Sequence, residues 1–437
     1  MNKNIKVAVA GAVLALSASA ANAGIIIPAG EWTVDISGNV NAYIESSSQK
    51  GNATVYGGLA GGTTTTTNSV TSFGNGLLPN FISIGGSTRQ NDLDVSFVIS
   101  LQPGTGLSTA ASGGSATATA AGLTGAAVAP SGINDRQAFI TFGDKSWGSV
   151  KVGKDLGIFA SDAILSDMTL LGVGAGVAGG NTTLGRIGTG YVYADWKPQI
   201  AYTTPNFAGF QATAGVAQTM VSNSDSGAST NTIITNSGSK NAGVSYEGKA
   251  SYSFAANDVT GKVWVSGIAQ KQGAFQNVAL SATGVTPGST SMYNNDTVAY
   301  GGDIGANVNF AGFGLTGYYY SGSGIGTTGQ GLDGYGVSTS NGAIGARDSD
   351  GGYVQATYVL PTKTKVGISW GESNLDTASG ETNTKLLKTN EQWTAGVYHP
   401  LTKHLNLVAE YNWVQAEAQS GAKNTSNSGS LGAILFF

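Results

Sequence analysis

Cysteine is absent from all 437 residues, so no disulfide can hold the fold and no thiolate chemistry is available. Histidine is scarce: the only two, His399 and His404, flank a predicted turn and are expected to be solvent-exposed. Two histidines without cysteines make no convincing metal site and leave few candidates for a nucleophilic triad, and no cofactor motif stands beside them. Charge is thin, at 11% of residues, which is low for a chain with a large watery exterior. Clusters of Lys and Arg are missing as well. With residues 1–23 set aside, 21 Lys+Arg less Lys3 and Lys6 leave 19 against 25 acids, a net charge near −6 that argues against nucleic acid. Beyond the N-terminus no apolar run reaches the ~20 residues of a membrane-spanning helix, so any crossing must be made by strands.

The N-terminus itself has the order and size of a secretory signal. Lys3 and Lys6 precede the apolar run Val7 to Leu16, and Ala21-Asn22-Ala23 is a small-residue cleavage pattern ahead of Gly24. The reading is a cleaved signal at 1–23 and a single domain at 24–437. After it, apolar residues recur at every second position. From Trp32, the residues Val34, Ile36, Val40, Ala42 and Ile44 share one face, opposite Thr33, Asp35, Ser37, Asn39, Asn41 and Glu45. Such a strand suits either a soluble sandwich or a barrel wall with lipid on one side and water on the other.

Sixteen strands are predicted, at 31–45, 80–88, 91–102, 134–143, 147–154, 198–204, 208–220, 242–254, 258–271, 297–310, 312–322, 350–360, 364–373, 391–400, 404–416 and 428–437. Their connections alternate. Short turns (Arg89-Gln90, Asp144–Ser146, Pro205–Phe207, Ala255–Asn257, Ala311, Pro361–Lys363, Leu401–Lys403) separate long loops at 46–79, 103–133, 155–197, 221–241, 272–296, 323–349, 374–390 and 417–427. Long structureless loops on alternate connections are foreign to compact soluble domains but usual in outer-membrane barrels with short periplasmic turns and long extracellular loops. The expected fold is therefore all-β, a transmembrane antiparallel β-barrel of sixteen strands. The turn segment Asn206-Phe207-Ala208-Gly209-Phe210 recurs as Asn309-Phe310-Ala311-Gly312-Phe313, each time between alternating strands. The low-complexity runs Thr63–Thr67 and Thr105–Ala127 fall in predicted loops. Trp32, Trp147, Trp370, Trp393, Trp413, Tyr358 and Tyr411 lie mostly near strand ends, as membrane-interface girdles require.

Several motifs look chemical without the context that chemistry needs. Gly174 to Gly179 fits the dinucleotide pattern GxGxxG, but no βαβ unit surrounds it. Gly148 to Lys154 fits most of a P-loop, yet runs along a strand, and Asp155 replaces the magnesium-binding Ser or Thr. Asp92 with Asp94 is an acid pair of the kind common on a wet wall. No catalytic, cofactor-binding or metal site is expected.

Asp135-Arg136-Gln137-Ala138-Phe139-Ile140 followed by Trp147-Gly148-Ser149-Val150-Lys151-Val152-Gly153-Lys154 resembles two consecutive strands of the general Gram-negative porins. Gln199-Ile200-Ala201-Tyr202-Thr203-Thr204-Pro205-Asn206-Phe207 is similar to another segment of that family. The terminal Phe437, with Leu431, Ala433 and Leu435 on one face, resembles its C-terminal strand, whose last aromatic serves as an assembly signal. The resemblance implies a passive channel for ions and small hydrophilic solutes, assembled as a homotrimer in outer-membrane lipid and lipopolysaccharide. It implies too that the third loop, 155–197, folds into the lumen and sets acids, available here as Asp155, Asp162 and Asp167, against a basic wall. Lys154 occupies the position of the family's Gly-Arg wall residue. Phe81 and Thr203 stand where enteric members place wall arginines, which predicts a weak transverse field. By strand parity Lys151, Lys262 and Lys365 face the lumen. Arg136 shares the parity of Ala138 and Ile140 near the extracellular rim, and Lys154 that of the valines, so it lines the pore only through a bend. The alternatives left open are a channel selective for sugars or phosphate and a β-rich surface adhesin.

Overall fold

The structure, a computed structural model, describes residues 24–61, 69–105, 133–175, 182–219, 223–225, 232–236, 243–272, 275–281, 284–293, 297–338, 340 and 344–437. The predicted signal at 1–23, Thr63–Thr67 and most of Thr105–Ala127 lie outside these residues. The main sheet has 18 strands, of which two, Ile25–Ala29 and Ser69–Gly74, are short. The remaining sixteen form the wall: β1 (Trp32–Lys50), β2 (Phe81–Gln90), β3 (Leu93–Pro103), β4 (Ile133–Asp144), β5 (Gly148–Leu156), β6 (Trp196–Thr203), β7 (Phe210–Gln218), β8 (Val244–Ala256), β9 (Val259–Gln272), β10 (Thr297–Phe310), β11 (Phe313–Ser323), β12 (Asp348–Val359), β13 (Lys365–Leu375), β14 (Leu387–Pro400), β15 (Leu405–Ala418) and β16 (Lys423–Phe436). Each pairs antiparallel with its neighbours, and β16 closes on β1 from Asn39↔Phe436 to Lys50↔Thr425. Closure leaves no open edge, which hydrocarbon would penalise by several kcal/mol per unpaired backbone group.

The period-two alternation becomes the two sides of this wall. Val40 and Ile44 of β1 are exposed outward, whereas Asn39, Asn41, Tyr43 and Glu45 are buried inside. Ile200 and Tyr202 point out from β6, Val263 and Val265 from β9, and Tyr411 from β15. An outward strand face in lipid accepts only apolar side chains, so the pattern is dictated locally.

Turns are built on positive backbone angles. Asn91 and Asp92 have φ of 48° and 63°, so the β2–β3 turn is made by these two residues, not by the expected Arg89-Gln90, which continue the ladder. Both central φ values must be positive in the turn that suits a twisted hairpin, and Asn and Asp tolerate them. The repeated Asn-Phe-Ala-Gly-Phe segment folds the same way twice. Ala208 and Gly209, then Ala311 and Gly312, take positive φ between paired phenylalanines.

Other expectations change. The loops at 221–241 and 272–296 are not structureless: Asn223–Asp225, Thr232–Asn236, Phe275–Ser281 and Gly284–Tyr293 pair into a separate four-stranded antiparallel sheet. The expected long loop at 417–427 is a short turn, because Lys423 already pairs with Glu417. His399 and His404 are half-buried, not solvent-exposed, and the His399 ring meets the Thr364 hydroxyl at 2.9 Å.

Candidate functional site

The connection between β5 and β6, residues 157–195, turns inward and crosses the barrel. It carries a short helix, α1 (Ser161–Ser166), and a 3-10 turn (Met168–Leu171). Apolar residues drive it there. Phe159, Ala163, Leu170, Tyr191 and Val192 are buried against Trp264, Ile268, Tyr318 and Tyr353, which stand on the inward parity of β9, β11 and β12. A loop with so many buried apolar groups forms a second core inside the wall.

Polar contacts fix its course strand by strand. Glu247 on β8 accepts the backbone N–H groups of Ile158 and Phe159 at 2.8 and 2.9 Å and pairs with the buried Lys197 ammonium. Asp162, on α1, pairs with Lys249 of β8 at 3.1 Å and with Lys262 of β9. Tyr353 donates to the Ala163 carbonyl at 2.8 Å, and Gln355 accepts from the Met168 N–H at 2.7 Å. Arg186 reaches the Gln392 carbonyl and the Thr394 hydroxyl of β14, both at 3.2 Å. Glu410 of β15 accepts the N–H groups of Val173 and Gly174, each at 2.8 Å, and the Tyr398 hydroxyl at 2.6 Å. Tyr43 of β1 donates to the Leu171 carbonyl at 2.6 Å. The loop is thus tied to β8, β9, β12, β14, β15 and β1, across the full width of the lumen.

A second loop, 324–347, lies over the first. Tyr193 donates its N–H to the Thr328 carbonyl at 2.8 Å, and Gln330 contacts both Lys197 and the Ala194 carbonyl. Arg347, fully buried, forks onto Glu381 and ties this loop to the next one.

Residues 10–419 match the family model described as Gram-negative porin. This chain belongs to that family. No curated protein sequence matches it. Among solved structures, the outer membrane channel DcaP of Acinetobacter baumannii superposes with a TM-score of 0.62 at 15% identity, covering 95% of this chain and 100% of that one. An anion-selective porin from Comamonas acidovorans gives 0.55 at 14% identity, with 93% and 100% covered. OmpT of Vibrio cholerae, folded in vitro and in trimer form, gives 0.52 at 13% identity, with 93% and 99% covered. Family and fold together make this porin an integral outer-membrane channel for passive diffusion, and they are those of a channel rather than an enzyme.

The porin distributes its sequence-predicted site residues unevenly. Lys151 faces inward, pairs with Asp155 on the same strand and lies 4.9 Å from the centre of the Phe139 ring. Asp155 is therefore a wall residue and not a loop residue. Lys262 and Asp162 meet, and Lys365 sits 4.7 Å from the Tyr398 ring centre. Asp167 caps the 3-10 turn, accepting from the Thr169 N–H and hydroxyl and from the Tyr191 hydroxyl at 2.9 Å, and its charge is felt by Arg186 and Lys365. Lys154 keeps the outward parity of Val150 and Val152, and its ammonium donates to the Asp135 carbonyl at 2.5 Å. The register of β3 and β4 slips beside Arg136, leaving it without a partner across the ladder, and its charge acts on Asp195 at the loop's end. Phe437 exchanges backbone hydrogen bonds with Gly38 at 2.8 and 3.0 Å, closing the ladder at the C-terminus. Phe81 and Thr203 share the inward parity of buried Ser83 and Ala201.

Lys197, Glu247, Lys249, Arg186 and Glu410 were not singled out from sequence. Parity alone could have found Glu247 and Lys249, which alternate with the outward Tyr246 and Tyr252. Nothing local marks Arg186, whose role depends on where the loop goes.

Proposed function

We propose that this porin is a homotrimer of separate channels, each narrowed by the loop 157–195, which sets the size of hydrophilic solute that passes. The observation that carries the reading is the clamp of that loop from Glu247 on one wall to Glu410 on the other. Lys151, Asp155, Asp162, Lys262 and Lys365 line or support the constriction, while Lys154 and Arg136 belong to its rim. Segment 1–23 directs export and is removed, and Phe437 serves as the assembly signal. Trimer formation is supported by an uneven outer wall. Exposed aromatics such as Tyr246, Tyr252, Tyr300, Phe313, Trp393 and Tyr411 mark β8 to β15 as contact with lipid and lipopolysaccharide. From β16 round to β3 the exposed wall is largely aliphatic instead, with Val40, Ile44, Ile82, Ile99, Leu431 and Leu435, its aromatics being Phe73 and the Trp32–Phe97 pair. An apolar face poorer in interfacial aromatics suits protein contact. The test is a planar-bilayer recording together with an unheated gel. Conductance steps in threes and a heat-sensitive trimer band are expected. Single steps from a heat-stable monomer would overturn the trimer.

A further inference from the structure

Around the inward loop the acids of the wall are buried while three of its lysines are partly exposed; Arg186 and Lys197 are buried, and the loop's own Asp195 is half-buried. The side chains of Lys151, Lys249 and Lys262 are 28%, 25% and 36% exposed, whereas their partners Asp155 and Asp162 are 0% and 7% exposed. The other acids that face the loop, Glu247, Asp303 and Glu410, are buried as well. On β12 to β15 the inward Gln355, Thr394 and Asn412 are buried; on β4 to β9 the inward Gln137, Gln199 and Glu247 are buried too, while Thr141, Thr213 and Ser251, nearer the short turns, remain partly open. Water therefore runs beside β4 to β9, where the three lysines project. Two half-buried acids face inward elsewhere, Asp35 on β1 and Asp94 on β3, and Asp94 is held by Arg89 at 2.7 Å.

We infer that the passage favours small anions, inorganic or carboxylate-bearing, and that Lys249 and Lys262 are its selectivity determinants. The inference rests on the porin reading and adds a substrate class to it. Asp162 fixes both ammonium groups in place from behind, leaving each with its outer side in the channel. A passing ion meets the cations first and the carboxylate only through them.

The test is the reversal potential of the intact porin across a low-to-moderate potassium chloride gradient, where screening is weak. Wild type should favour chloride. Removing one unit charge about 7 Å from the ion's path changes relative permeability about threefold at the dielectric of water. The K249Q/K262Q pair should accordingly lose most of the chloride preference, and D162N should increase it. A conducting wild-type channel that favours potassium overturns the inference, as does a K249Q/K262Q variant with an unchanged potential. If that variant does not insert, the wild-type sign and the direction of the D162N shift decide the matter. Absence of any conductance from folded, heat-modifiable protein would instead defeat the porin reading beneath it.

Discussion

Lys197 and Glu247 are both buried, and the Lys197 ammonium has Gln330 as its second acceptor. Breaking such a pair strands a charge away from water, which typically costs about 3–5 kcal/mol. The variant E247Q also weakens the two N–H bonds to Ile158 and Phe159, so its urea midpoint should fall clearly below wild type. A midpoint unchanged within error would show that the pair is solvated. Asp162 behaves differently with pH. Burial opposes its ionisation, but the Lys249 and Lys262 ammoniums outweigh that and hold its carboxyl below the usual aspartate range, with Asp303 acting against them nearby. A depressed value means the pairing is complete above the unfolded pKa of about 3.9 and is lost as pH falls through the lower folded value. Thermal unfolding should therefore show no pH dependence from this pair between pH 7 and about 5, where its contribution is full, then a loss below about 4 that D162N does not share. Parity made these charges legible as inward-facing. It could not say that Asp162, 100 positions away from Lys262, would be their counter-ion.

The strands and turns were the most legible elements, because both are decided by near neighbours. Alternation set each strand's faces, and the repeated Asn-Phe-Ala-Gly-Phe marked two turns, the first of them at Ala208-Gly209, just past the expected Pro205–Phe207. The turn at Gly209 gives a sharp test. Its φ is 103°, and a Cβ there would run into the Ser253 carbonyl oxygen of β8. G209A should destabilise the refolded barrel by about 1–3 kcal/mol. G429A, on the outward face of β16 with no atom close to the added Cβ, should stay within about 0.5 kcal/mol of wild type. Equal effects at the two sites would sever the link to turn geometry. The misplaced Arg89-Gln90 turn has the same origin: Asn91-Asp92 was the better signal, since these residues accept the left-handed region more readily.

At the scale of the molecule, two structures are nested: a closed wall and a loop core within it. The wall's ladders pair strand to strand without using residues 158–194, so the loop should be removable. Replacing residues 161–192 by a short Gly-Ser linker is expected to leave a folded, heat-modifiable barrel with higher single-channel conductance. Unchanged conductance would place the narrowest section elsewhere. Inward aromatics such as Trp264, Tyr318 and Tyr353 were the signal for this inner core, standing on a parity that is otherwise polar.

By itself the sequence determined the wall: the strand count, its closure and the side that meets lipid. Those follow from a period of two and from the penalty for polar groups in hydrocarbon, both of which act over a few residues. Only the tertiary structure decided the constriction. That Asp167 caps a turn, and that Asp162 meets Lys249 and Lys262, depends on the path of one loop. That path is set by packing and ion pairs between residues far apart in the chain, for which no local pattern exists.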